Sequence, residues 1–129
     1  VIIPKLKSDI LKIFYNVVEN KLNQTTIRWK NTKCMTVVLC SKGYPNKYIK
    51  NKTIYNLENI KLNKNSFVYH AGTKFQGDNL VSNGGRVLNI TSSGSNFKII
   101  RNNIFKIIKK INWRYGYFRK DIGWRVIWE

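Results

Sequence analysis

A glycine-punctuated stretch from His70 to Thr91 constrains the fold of this chain more than any other part of the sequence. The runs Phe67–Tyr69 before it and Val87–Thr91 at its end are rich in β-branched and aromatic residues, which favours strands. Between them, Gln76–Asn79 has the composition of a tight turn, because Gly and Asn tolerate a positive φ. The stretch therefore predicts a strand, a hairpin, a glycine loop and a second strand.

The glycine loop Gly84-Gly85-Arg86 is the first candidate for a binding site. Paired glycines let a backbone approach a ligand closely, and an arginine offers a planar fork of donors for phosphate or carboxylate. Strand alternation places Leu88 on the same side as Arg86, so we expect the arginine to lie over the core or in a cleft. A tight hairpin with a solvated arginine is the alternative. A positive φ, or close contact with a cleft, is the expected reason for the glycines.

The rest of the chain alternates helical and strand patterns. Apolar residues recur at helical spacing over residues 8–22, with Ser8 as the predicted N-cap and Asp9 in the first turn, and again over residues 97–111. The β-branched run Cys34–Cys40 predicts a central strand. Weaker strand patterns cover residues 26–29 and 52–55. We expect an α+β fold with a mostly antiparallel sheet and two flanking helices.

The two cysteines, Cys34 and Cys40, lie on that central strand. Their even separation places both on one face, yet about 20 Å apart along an extended chain, which is too far for a disulfide. Small thiols in a reducing compartment are the preferred interpretation. With a single histidine and no Cys-x-x-Cys pair, we expect no structural zinc.

The charge balance raises a second class of function. The chain of 129 residues has 24 basic and six acidic side chains, a formal charge of +18, which is typical of proteins that bind nucleic acid or anionic membranes. The lysines are scattered among many Asn and Ile residues, and A/T-rich codons explain that combination without a polyanion. No apolar run reaches the roughly 18 residues that span a bilayer.

The sequence holds no complete catalytic constellation. Its acidic residues form no pair at helical spacing, its single histidine accompanies no nucleophile motif, and it has no Walker-type phosphate loop. We therefore predict neither a catalytic residue nor a metal ligand in this chain.

Four motifs together resemble one family. They are VVLCSKGYPNKY at 37–48, HAGTK at 70–74, SNGGRVLNIT at 82–91 and RKDIGWR at 119–125. In this order and spacing the chain resembles the C-terminal domain of phosphoribosylamine–glycine ligases, from Pro4 to its last residues. The resemblance implies an ATP- and Mg²⁺-dependent joining of glycine to 5-phosphoribosylamine in purine biosynthesis, with an acyl phosphate of glycine attacked by the amine.

The resemblance also implies how the chain is divided. Residues 1–24 would be the terminal helix of an ATP-grasp region, and residues 25–129 the C-terminal ligase domain. ATP and Mg²⁺ would be bound mainly by the upstream ATP-grasp domains of the same chain, so this fragment alone would be inactive. A cytoplasmic, monomeric enzyme without membrane or nucleic-acid partners is expected. The apolar stripe of helix 8–22 should then be partly uncovered.

The expected substrate-binding residues follow from the matched motifs. They are His70, Lys74, Gly84, Gly85, Arg86, Arg119 and Lys120. Arg86 would bind the 5-phosphate bidentately, with Lys74 and Arg119 converging on the same concave site. A structural hydrogen bond for His70 and a surface ion pair between Arg119 and Asp121 remain alternatives. A nucleic-acid-binding module would instead carry lysines and exposed aromatic rings along one open face.

Overall fold

The computed structural model describes residues 1–127, which form two antiparallel sheets and three helices. The helices are α1 (Ile2–Lys5), α2 (Ile10–Val18) and α3 (Phe97–Ile108), and the strands are β1 (Lys33–Ser41), β2 (Ser66–His70), β3 (Thr73–Gln76), β4 (Asn79–Ser82), β5 (Arg86–Gly94) and β6 (Gly116–Tyr117). Short 3-10 turns cover Leu22–Gln24 and Trp124–Val126. The predicted α+β class with an antiparallel sheet is confirmed.

The main sheet has the strand order β2-β5-β1-β6, and every neighbouring pair is antiparallel. β5 is central because it pairs with β1 on one side and β2 on the other. Burial alternates along β1, where Met35, Val37 and Leu39 are buried and the residues between them are half-buried. β1 lies between β5 and β6, so the predicted central strand is confirmed. Its buried residues face the core, and the residues between them lie on the opposite, open face of the sheet.

Helix α3 covers the core face of this sheet. Its period of 3.6 residues places Ile100, Ile104, Ile107 and Ile108 on one stripe, and all four are buried. Asn96 caps the helix, since its side-chain oxygen accepts from Lys98 N at 2.8 Å. The helix ends at Ile108, three residues before the predicted end.

The second sheet is the hairpin of β3 and β4. Gln76 pairs with Asn79 across a two-residue turn whose first residue, Gly77, has φ +57°. This geometry favours glycine, so the predicted turn at 76–79 is confirmed. The preceding loop is joined to this hairpin around an isolated bridge of Thr53 with Val81, where Ser82 N donates to Lys52 O at 2.9 Å and Ile54 N to Leu80 O at 2.8 Å.

The N-terminal segment differs from the sequence-based prediction. Helix α2 spans nine residues, and its N-cap is Asp9, which accepts from Leu11 N at 2.8 Å. The expected cap Ser8 is occupied elsewhere, because its hydroxyl accepts from Arg28 N at 2.7 Å. The apolar stripe of α2 is uncovered, as expected, since no residue of the helix is buried.

Two predicted strands are wrong. Residues 26–29 and 52–55 contribute only isolated bridges, such as Leu6 with Trp29 and Tyr55 with Asn112. Their β-branched and aromatic residues match a strand, but no neighbouring strand offers them a continuous ladder. Within residues 1–127, no helix combines the length and apolarity that crossing a membrane requires.

Candidate functional site

The glycine loop is held by backbone contacts on two sides. Ser41 donates from its amide to Gly85 O and from its hydroxyl to Gly84 O, both at 2.8 Å. Gly72 N donates to Arg86 O at 3.0 Å. The loop is therefore fixed between the end of β1 and the segment that follows β2.

Close approach, and not a positive φ, explains the two glycines. Neither Gly84 nor Gly85 has a positive φ, so of the two expected reasons only close contact with a cleft can apply. A Cβ on Gly85 would lie 2.2 Å from Cδ2 of Tyr44, and one on Gly72 would lie 2.7 Å from the Cα of Gly84. The expected contact of Gly85 with a cleft does occur, since Gly85 lines one beside Arg86.

A β-bulge reverses the expected direction of Arg86. Leu39 pairs with Leu88, but the next residue, Cys40, pairs with Arg86, so Val87 is the extra residue. Leu88 is fully buried in the core, whereas Arg86 is exposed on the open face. The expectation that the two share a side is wrong, because alternation fails wherever one strand holds an extra residue.

Arg86 borders a cleft on the open face of the sheet. The cleft has a volume of about 540 Å³ and is lined by Val38, Tyr44, Ala71, Gly72, Gly85, Arg86 and Asn89. Within residues 1–127, the Arg86 side chain has no hydrogen-bond or ion-pair partner. A guanidinium stays protonated, so this cleft presents a fixed positive charge with five donors.

The thiol of Cys40 lies near this charge. Burial raises the pKa of Cys40 above its ordinary value, and the Arg86 guanidinium partly opposes that rise. The two effects have opposite signs because burial disfavours the thiolate and a neighbouring cation favours it. Cys40 can therefore report on the charge at position 86.

The segment from His70 to Lys74 forms a wall between two clefts. Ala71 and Gly72 line the Arg86 cleft, whereas His70, Thr73 and Lys74 line a second cleft of about 690 Å³. The second cleft has a mainly apolar lining, with Glu58 and Asp78 as its acidic members: Thr53, Ile54, Tyr55, Leu57, Glu58, Ile60, Leu62, Val68, His70, Thr73, Lys74, Phe75, Asp78, Asn79 and Leu80. Lys74 and Arg86 do not line a common cleft.

His70 makes a local hydrogen bond. Its Nδ1 lies 3.0 Å from Oγ1 of Thr73, and the side chain is exposed. This contact favours the structural alternative for His70, although its partner is a side chain and not the backbone.

Arg119 and Lys120 line neither of these two clefts. Arg119 forms a two-point ion pair with Asp121, with Nη2 to Oδ2 at 2.6 Å, and both side chains are exposed. Arg101 ties this segment to α3, donating to the carbonyl of Lys120 and to that of Ile122 at 3.3 Å. The structure thus separates the predicted residues into three groups, and their roles in substrate binding stay predictions.

Tyr44 and Asn89 are cleft residues that the sequence reasoning missed. Tyr44 lies over Gly85, and its main-chain oxygen accepts from the Tyr117 hydroxyl. The motif Gly-Tyr-Pro at 43–45 has turn composition with an aromatic ring, but it does not reveal which residue the ring contacts. Asn89 could be found from strand alternation only once Val87 was known to be the bulge residue.

The described residues also bear on metal binding and on nucleic acid. Among residues 1–127, no three His, Cys, Asp or Glu side chains come together as metal ligands. The stacked rings of Phe67 and Tyr69 lie on the open face, opposite the core-facing Val68, whereas the lysine-bearing α3 lies across the sheet. This ring pair and the lysines of α3 therefore lie on opposite sides of the sheet.

Comparison with known proteins gives a consistent result. The protein-family model "Phosphoribosylglycinamide synthetase, C domain" matches residues 34–125. The chain is 38% identical to the phosphoribosylamine–glycine ligase of Agrobacterium fabrum and 40% identical to that of Caldanaerobacter subterraneus. These matches cover 98% and 95% of this chain, but 30% and 28% of the relatives.

A solved structure has the same fold. The crystal structure of phosphoribosylamine–glycine ligase from Thermotoga maritima matches with a TM-score of 0.64 and 25% identity, covering 84% of this chain and 27% of that one. An antiparallel sheet backed by one helix, with a cationic cleft on its open face, defines a small α+β domain. More narrowly, the chain belongs to the family of phosphoribosylglycinamide synthetase C domains. It spans about 30% of the length of the first curated relatives that it matches.

Proposed function

We propose that this chain acts as the C-terminal part of a phosphoribosylamine–glycine ligase and provides the sugar-phosphate side of its substrate cleft. The relatives carry that name, and nearly the whole of this chain matches a part of their length. ATP and Mg²⁺ would be held by ATP-grasp domains outside these residues. A cytoplasmic, monomeric enzyme completes the proposal, with the half-buried thiols of Cys34 and Cys40 consistent with a reducing compartment.

The observation that carries this proposal is the unpartnered Arg86 beside the glycine loop. Acidic side chains are scarce in this chain. One of them, Asp121, is already paired with Arg119. A ligand phosphate would supply the missing counter-charge, and the planar guanidinium matches two of its oxygens. The β-bulge directs Arg86 out of the core, which makes the fork accessible.

The remaining predicted residues have weaker support. Lys74 and His70 line the neighbouring cleft, so they would contact a part of the substrate complex that lies across the 70–74 wall. Gly84 and Gly85 shape the loop, and the Gly85 backbone borders the Arg86 cleft. Arg119 and Lys120 would reach substrate only if their segment faced the upstream domains.

Steady-state kinetics on the full-length ligase test the role of Arg86. Charge-assisted hydrogen bonds contribute about 1.5–3 kcal/mol each, so Arg86→Lys, which keeps the charge but loses the fork, should lower kcat/KM for phosphoribosylamine at least about tenfold. Arg86→Ala should lower it further. The exposed Arg114→Lys is the matched control and should leave kcat/KM unchanged.

The contrary results are equally specific. If Arg86→Lys changes only the kinetic constants for glycine or ATP, Arg86 does not bind the sugar phosphate. If the Arg114→Lys control loses as much activity, the effect is not specific to this cleft.

A further inference from the structure

Another basic cleft lies on the helix side of the sheet, which is the side opposite Arg86. It forms between the last turns of α3 and the loop before β2 and has a volume of about 170 Å³. Its lining consists of Lys61, Asn63, Asn103, Lys106, Ile107 and Lys110. Three of these six residues are lysines and none is acidic, which sets this cleft apart from the larger one that includes Glu58 and Asp78.

The three lysines have no counter-charge in the structure. The ion pairs among residues 1–127 involve Glu19 and Asp121, and neither includes Lys61, Lys106 or Lys110. Like charges around one concavity repel each other, and a bound anion relieves that repulsion. The electrostatics therefore favour an anionic occupant.

The polar groups of the cleft are mainly donors. The Asn63 side-chain oxygen accepts from Asn65 N at 2.9 Å, which leaves its NH2 group available. The main-chain oxygen of Lys110 is likewise occupied, because it accepts from Asn56 Nδ2 at 2.8 Å. A ligand that offers many acceptors, such as phosphate, fits this lining.

The helix dipole explains only part of this arrangement. The C-terminus of a helix attracts cations, which accounts for Lys106 and Lys110 in or just after the last turn of α3. Lys61 and Asn63 belong to a separate segment that faces the helix, so their convergence on the cleft needs another reason.

We propose that this cleft, formed by α3 and residues 61–63, binds a small phosphate-bearing anion, phosphate or pyrophosphate. Its volume of about 170 Å³ suits one or two phosphoryl groups. None of its lining residues is aromatic, so the lining itself offers no ring on which a base could stack. The proposal is independent of the ligase assignment, because none of its residues borders the Arg86 cleft.

Site-resolved NMR tests the proposal with the 15N-labelled chain of 129 residues. Titration with inorganic phosphate, and separately with pyrophosphate, should give saturable shifts at the amides of Asn63, Asn103 and Ile107. Lys106→Gln combined with Lys110→Gln should weaken that binding at least tenfold. The matched control, Lys47→Gln combined with Lys98→Gln, removes the same charge from two other exposed positions and should weaken it less than twofold.

Three outcomes would overturn the proposal. Shifts that do not saturate, or that spread over all lysine-bearing surfaces, would indicate ionic-strength effects alone. An equal loss in the control pair would indicate general charge attraction. A single-stranded RNA oligonucleotide that binds more tightly than pyrophosphate and shifts the same amides would indicate a nucleic-acid surface. Because the readout is local to α3, a failure here leaves the Arg86 proposal unaffected.

Discussion

At the residue scale, Gly85 and Tyr44 occupy adjoining space that a side chain at position 85 would invade. A Cβ there would lie 2.2 Å from the tyrosine ring, so the ring must move. We expect Gly85→Ala to lower the free energy of unfolding by about 1–3 kcal/mol, as overpacking does. Urea denaturation of the chain measures this change.

A double-mutant cycle isolates the contact. In a Tyr44→Ala background the ring is absent, so Gly85→Ala should cost much less than it does in the unchanged chain. An equal cost in both backgrounds would show that the loop backbone, and not the ring, requires glycine.

Cys40 allows the charge at Arg86 to be measured without substrate. Burial raises the thiol pKa and Arg86 partly opposes this, so Arg86→Ala should raise the pKa further. The neutral thiol is then favoured in the folded state, and this preference is fully present below the unfolded pKa and is lost as pH rises through the folded one. The pH profile of iodoacetamide alkylation, followed by mass spectrometry, should shift to higher pH.

The midpoint of that profile separates charge from access. Losing the arginine side chain can open the thiol to reagent, which changes the plateau rate but not the midpoint. Arg114→Ala is the control and should leave the Cys40 profile in place. A midpoint that moves to lower pH in Arg86→Ala would contradict the proximity of the two groups.

At the element scale, α3 depends on an N-cap, Asn96, whose residue type is one of those preferred at that position. Asn96 accepts from the amides of Lys98 and Ile99 at 2.8 and 3.2 Å. We expect Asn96→Ala to cost about 0.5–2 kcal/mol of unfolding free energy, because two amides of the first turn lose their acceptor. Asn102→Ala, on the exposed side of the same helix, should change it by less than about 0.5 kcal/mol. Similar losses at both positions would assign the effect to the helix as a whole.

Periodicity predicted the elements that bury a regular face, and long-range pairing decided the others. The alternation of β1 and the isoleucine stripe of α3 are properties of the local sequence, so both were predictable. The failed strand at 26–29 has suitable residues but no continuous partner, which only the tertiary structure determines. The choice of Asp9 over Ser8 as a cap likewise depended on Arg28, twenty residues from Ser8 in the chain.

The candidate site shows the same division. Gly85 and Arg86 were recognisable from their types, because a close backbone approach and a fork of donors are chemical properties. The direction of Arg86 was not, since one bulge residue opposite Cys40 reverses the alternation. Lys74 and Arg86 line different clefts because the segment 70–74 lies between those clefts. Spacing in the sequence does not predict on which side of that segment a side chain lies.

At the scale of the whole molecule, α2 is the element least supported by the rest of the chain. Leu11 and Val18 are 73% and 78% exposed, and nine residues are too few for a stable isolated helix. We propose that residues 1–24 pack against upstream domains in a longer ligase chain. Leu11→Ser with Val18→Ser should then leave the unfolding of residues 25–129 unchanged in the 129-residue chain, yet lower the melting temperature of the full-length protein.

Thermal unfolding of both proteins measures the difference. Lys12→Ser, on the same helix, is the control for altered helix propensity. Equal effects in the short and long proteins would place α2 with the C-terminal domain instead.

The bulge at Val87 has a consequence for how this domain can tolerate changes in length. Removing Val87 would restore simple alternation and leave Arg86 on the open face, but it would take a fully buried valine out of the core, which is strongly unfavourable. Insertions at the Gly77–Asp78 tip carry no such penalty, because a side chain added at Gly77 would meet nothing within 4 Å. Natural deletions and insertions in this domain should therefore be absent between Gly84 and Leu88 and accumulate at the tip of the hairpin.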